Sequence, residues 1–144
     1  MLIRLTEAFF GLLGAAGPFF WGHKDVLLGS IFSDYPKRDR PIDFLICDGA
    51  KVLAVGLARY DSDRGGAQED DRTGQYRDCA QEIITYANSK GMNTKVIFLN
   101  DGPGLLLGSM WKDYAALETA WADRVRVVTL RMVPERITLD WLRS

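Results

Sequence analysis

The chain has 144 residues but only one histidine, His23, and two cysteines, Cys47 and Cys79. A single imidazole leaves no basis for a His-rich zinc centre or a His-centred nucleophilic triad. His23 itself reads as a helix-start or surface residue. Cys47 falls in a strand-like run and Cys79 in a helix-like one, so both read as buried thiols of a reducing, cytoplasmic compartment rather than a disulfide. Charge of one sign is also scarce. Eighteen basic residues against nineteen acidic ones give a net charge of −1, which argues against general polyanion affinity but permits a local basic cleft. The longest apolar run, Ala8 to Phe20, is broken by Gly14, Gly17 and Pro18 and is too short to cross a bilayer. It reads as a core helix, and no membrane partner is expected. No P-loop, no GxGxxG, no repeat and no low-complexity tract occurs.

What is present is the composition of a folded globular chain, 47% apolar and 26% charged, read here as one domain over residues 1–144. Leu2, Leu5, Phe9, Leu12 and Leu13 recur at helical spacing, predicting a helix over 2–15. A second short helix is expected from Lys24 to Phe32, followed by a charged, Pro-bounded loop from Ser33 to Pro41. Ile42 to Cys47 and Ala50 to Tyr60 are apolar runs separated by Asp48-Gly49, a strong hairpin signal. Asp61 to Gly74 has no apolar period and reads as a loop. From Gln75 to Lys90 the spacing of Tyr76, Cys79, Ala80, Ile83, Ile84 and Ala87 is helical, with Gly91 as the stop. A buried strand over Thr94–Leu99, a turn at Asn100–Gly104, a helix over Leu105–Ala120, a strand over Val125–Met132 and a closing helix over Val133–Leu142 complete the order. The fold class predicted is α/β, a mixed central sheet flanked by helices.

The densest polar constellation contains Asp43, Arg59, Asp61, Asp63, Arg64, Glu69, Asp70, Asp71, Arg72, Asp78 and Glu82. Carboxylates grouped at a strand end and on the next helix suit Mg²⁺ (or Mn²⁺), a hard cation that takes oxygen ligands and substrate phosphate. Nearby arginines suit bidentate contact with phosphate. The plainer alternative is a solvated acidic loop with local ion pairs. Asp61-Ser-Asp63-Arg-Gly65 starts like a calcium loop, but Arg72 stands where such a loop needs Glu. Asn100–Gly104 reads as a turn, or as a backbone cradle for a phosphate. Trp111 beside Lys112 is the best aromatic for a nucleic-acid edge, while Trp21, Trp121 and Trp141 read as core or contact residues.

Pro41-Ile42-Asp43, the following hairpin and the later Lys95–Gly104 strand and turn resemble the restriction-endonuclease-like PD-(D/E)xK nucleases, type II restriction enzymes among them. The resemblance covers residues 40–132. It implies a restriction-endonuclease-like fold and a Mg²⁺-dependent endonuclease hydrolysing phosphodiester bonds of double-stranded DNA. Two cuts in a duplex imply a homodimer. In that family the second strand carries an acidic residue and, two positions on, a lysine beside the Asp. Counting faces outward from a two-residue Asp48-Gly49 turn puts Gly56 and Ala58 at those positions and Arg59 on the opposite face, unless a bulge shifts the register. The usual (D/E)xK pair is therefore missing. The catalytic set expected is Asp43, Asp61 or Asp63, and Arg59 or Arg64. Asp78 and Glu82, four apart on one helical face, are candidates for a migrated metal ligand beside Asp43 and Asp61. Lys37, Arg38 and Arg40 lie just ahead of Asp43, where a DNA backbone would pass, and Lys37, Arg38 and Arg72 are assigned to DNA binding. Two alternatives stand beside this one: a catalytically silent binding or structural module of the same fold, and a small-molecule phosphoryl-transfer enzyme.

Overall fold

The computed structural model describes residues 19–21, 26–60, 67–102 and 110–144, and at 19–21, 60, 67–72 and 110 the backbone alone. The predicted helix over 2–15 lies outside these residues; the core helix expected from Ala8 to Phe20 is corrected at its end, where Phe19 and Phe20 are in a strand paired with Cys47 and Ile46. The described elements are β1 (Phe19–Trp21), β2 (Val26–Leu27), α1 (Leu28–Ile31), β3 (Pro41–Ile42), β4 (Phe44–Asp48), β5 (Lys51–Tyr60), α2 (Ala67–Ser89), β6 (Lys95–Asp101), α3 (Met110–Ala116), β7 (Val125–Val128), α4 (Val133–Arg136) and α5 (Leu139–Arg143). Short 3₁₀ turns follow α3 and β7.

The α/β class and the mixed sheet are as the sequence predicts. Four strands run in the order β4-β5-β6-β7, and β1 adds a short edge beside β4. β4 and β5 form an antiparallel hairpin, whereas β5, β6 and β7 are parallel. The parallel pairs require crossovers, which α2 and α3 supply. β6 is buried on both faces from Lys95 to Asn100, which explains why it reads as a continuous apolar run rather than an alternating one.

Each face of the sheet has its own core. Leu45, Val55, Val96, Phe98 and Val127 pack against Tyr76, Cys79, Ala80, Ile83 and Ile84 of α2. Phe44, Ile46, Ala54, Ile97 and Leu99 pack on the other side against Val133, Ile137, Trp141 and Leu142. The helical spacing in α2 therefore does what it predicts: all its apolar positions from Tyr76 to Ala87 are buried. Gly91, at φ +66°, ends the element. At the edge of the sheet, the backbone N–H of Val127 donates to Glu118 (2.7 Å) and its carbonyl accepts from Arg136 (2.9 Å). Those two side chains pair with each other at 2.6 Å, so part of the open edge is covered.

Three local expectations are corrected. The helix predicted from Lys24 to Phe32 is a single turn preceded by a strand, because Val26 and Leu27 pair with Ile42 and Pro41. The backbones of Leu28 and Gly29 then bond to Arg40 and Arg38 (both 2.9 Å). Gly29 is required there: a Cβ would sit 2.7 Å from the Arg38 backbone. Second, half of the loop predicted over Asp61–Gly74 is helix, since α2 starts at Ala67 and runs for 23 residues. A run without apolar period marks a solvated segment, not a non-helical one, and acidic residues suit a helix start. Third, the strand predicted to Met132 ends at Val128, and the closing helix is two short ones, α4 and α5, the second capped by Thr138 accepting from the Trp141 N–H (3.2 Å).

Candidate functional site

The hairpin turn sits one residue later than predicted. Asp48 pairs with Lys51 around Gly49-Ala50, with Gly49 at φ +61°. That slip alone would preserve the faces, since it moves both strands by one. The decisive event is a β-bulge: Cys47 pairs with Val52 but Ile46 pairs with Ala54, leaving Leu53 as the extra residue. Beyond it the alternation in β5 inverts. Phe44 now opposes Gly56, and its ring lies where a Gly56 side chain would be, 2.0 Å from a built Cβ. Gly56 and Ala58 are therefore not on the Asp43 face. Leu57 and Arg59 are, and the assignment of Arg59 to the opposite face is overturned. The residues of β5 beside Asp43 are thus Leu57 and Arg59, two apart on one face.

Asp43 occupies the break between β3 and β4. Its backbone N–H donates to Gly56 (2.9 Å), and its Oδ2 accepts the backbone N–H of Ala58 (2.7 Å). The half-buried carboxylate is thus tied to the strand that carries Arg59. Both line an open cleft of about 480 Å³ with Arg40, Pro41, Leu57, Gln75, Tyr76 and Cys79. It lies near the carboxyl end of β5, the strand-end region where open α/β sheets commonly take ligands. Behind it, Tyr76 stacks on Phe98 at 4.3 Å and donates its hydroxyl to the buried Asn100 (2.9 Å). Asn100 is the register partner of Arg59. Cys79 is no nucleophile here, because burial pushes its thiol up to about 11.

The other expected residues are distributed differently. Asp78 is exposed and Glu82 half-buried, and both line a second groove of about 450 Å³ with Pro36, Lys37, Thr85 and Tyr86. Glu82 is taken up by three partners: Arg40 in a fork (2.7 and 2.9 Å), Lys37 (2.7 Å) and the Tyr35 hydroxyl (2.8 Å). Burial would raise its pKa, but the hydrogen bonds from Arg40, Lys37 and Tyr35 outweigh it and bring the carboxyl down to about 2. Arg38 is exposed and donates to the Ser33 carbonyl. Asp61, Asp63 and Arg64 lie outside the described residues, and Arg72 is described by its backbone only. Among the described residues no three His, Cys, Asp or Glu side chains group as a metal site, and no helix is long and apolar enough to cross a membrane.

Two site residues were named from the sequence only as members of a larger group. Asn100 had a signal: it is an amide in an otherwise apolar buried strand, read instead as the first residue of a turn. Arg40 had only its nearness to Pro41-Ile42-Asp43, which Lys37 and Arg38 nearly share. No protein-family model, curated protein or solved structure matches the chain.

Proposed function

We propose that the chain is a Mg²⁺-dependent DNA endonuclease of restriction-endonuclease-like fold, cutting duplex DNA as a homodimer. The observation that carries this reading is the presence of Asp43 and Arg59 on one sheet face, in one cleft, across an antiparallel hairpin that leads through a helix to a parallel strand. Arg59 offers a guanidinium fork to two non-bridging phosphate oxygens. Asp43, anchored through Ala58, stands where a carboxylate can orient an attacking water. Among the described residues the donors fall short of a Mg²⁺ site, since Asp43 is the only carboxylate lining the cleft. Asp61 and Asp63, the first acidic residues after β5, are assigned the remaining ligands, with Arg64 beside them. Mg²⁺ or Mn²⁺ would supply Lewis-acid stabilisation of the phosphodiester when bound.

Supercoiled and linear duplex DNA incubated with Mg²⁺ or Mn²⁺ tests the reading. Cleavage is expected from the wild type and not from Asp43→Asn. Equal cleavage by both proteins overturns it. Leu57, apolar where the family carries an acid, favours the second reading, a catalytically silent DNA-binding module of the same fold. That reading gains if the wild type retards duplex DNA in a gel but cuts none.

A further inference from the structure

Of the three basic residues ahead of Asp43, only Arg40 lines the cleft; Lys37 lines the second groove, and Arg38 bonds to its own loop. Arg40 is also the only one held rigidly. Its Nε and Nη2 fork onto the two oxygens of Glu82, at 2.7 and 2.9 Å, which leaves Nη1 with no hydrogen bond among the described residues. The Glu82 carboxylate is itself fixed by the Tyr35 hydroxyl and Lys37. An arginine anchored along one edge loses little side-chain freedom when its remaining amino group takes a ligand. Arg59 and Asp43 line the same cleft.

We infer that Arg40 is a phosphate-contacting residue of the cleft, paired in function with Arg59, and that Glu82 is its positioning residue rather than a metal ligand. The inference rests on the reading of the cleft as a duplex-DNA backbone site. Two guanidinium groups line the cleft with one carboxylate, and Glu82 balances the charge of Arg40, so what the cleft offers an anion is guanidinium donors rather than an excess of positive charge. The helix carboxylate that seemed to belong to a metal instead serves the substrate's anion from behind.

The test is the binding of a fluorescein-labelled 20-base-pair duplex, followed by anisotropy against KCl concentration without divalent metal. The proteins are the wild type, Arg59→Ala, Glu82→Gln and the charge-neutral double variant Arg40→Met/Glu82→Met. The double variant removes one cation and one anion, so net charge and long-range attraction are unchanged. It should bind about tenfold more weakly, as for loss of one charge-assisted hydrogen bond, and its log–log salt slope should be shallower by about 0.9. Glu82→Gln removes a negative charge, which by general attraction tightens binding to DNA; loss of positioning predicts weaker binding instead. Thermal melts of each variant confirm that the folded protein is measured. If Arg59→Ala weakens binding but the double variant matches the wild type in affinity and slope, Arg40 is a structural ion-pair partner only and the inference falls alone. If the wild type fails to bind, or Arg59→Ala binds as well as it does, the cleft is no DNA site and both readings fall.

Discussion

The two cavities beside α2 are built from the same residue types and do different things. On one side, Asp43 and Arg59 share an open cleft whose floor is Tyr76, Cys79 and Leu57. On the other, Glu82 gathers Arg40, Lys37 and Tyr35 into a closed cluster that ties the loop before β3 to the helix. Both sides set carboxylates among arginines. They differ in the setting of each carboxylate. Glu82 has side-chain cations and a hydroxyl on both oxygens, and a group so engaged works for stability. Asp43 is anchored by a backbone N–H in the wall of a cavity. An acidic residue near an arginine is thus not a site until its remaining partners are known.

The comparison predicts loss of activity without loss of stability on the cleft side, and on the groove side a loss of stability beside the weaker DNA binding inferred through Arg40. The largest belongs to Arg59→Ala, which should lower DNA cleavage by about a hundredfold, the scale for losing one aimed donor to a developing anion. Its melting temperature should stay near that of the wild type. A variant that melts early yet cleaves normally would merge the two sides into one structural network.

Next is Glu82→Ala, which strands Arg40 and the Tyr35 hydroxyl. Urea titration should show a loss of about 2 kcal/mol, typical of hydrogen bonds to a charged group. Unchanged stability would mean that the cluster is ornamental. Smaller, and visible only in acid, is the contribution of Glu82's depressed pKa. Since the folded value is about 2 against 4.5 for the free carboxyl, its stabilisation is complete above pH 4.5 and is lost as pH falls towards 2. Stability measured between pH 5 and pH 2 should therefore fall less steeply in Glu82→Gln than in the wild type. Parallel curves would show that Glu82 titrates normally. The smallest effect is expected from Asp78→Asn, an exposed groove residue: about 0.5 kcal/mol or less in stability and no change in cleavage. Loss of Mg²⁺-dependent cleavage in Asp78→Asn would restore the migrated-ligand reading and breach the division between the two sides.

Much of the architecture was legible because it rests on periodicity. The apolar spacing of α2, the unbroken run of β6 and the turn chemistry near Gly49 and Gly91 each report a local preference that burial then rewards. The N-terminal extension of α2 was not legible, because solvated polar residues carry no period whether helical or not. Glu82 and Asp78 were legible as one helical face, and the structure keeps them on one groove; what the spacing does not encode is that Asp43 lines a different cavity. Arg40 was named with its loop but could not be told from Lys37 and Arg38.

By itself the sequence determined the class of the fold, the order of its elements from the hairpin onward, the apolar face of α2 and the presence of an acidic residue in an apolar hairpin. The tertiary structure decided which side chains meet that residue. One unpaired residue, Leu53, inverts the alternation of β5 and exchanges Gly56 and Ala58 for Leu57 and Arg59 beside Asp43. A strand has a side-chain period of two, so a single bulge moves every later side chain to the other face. A bulge is set by how two strands and both cores fit together, Phe44 over Gly56 on one face and Leu45 against Val55 on the other, and no local preference along either strand records it.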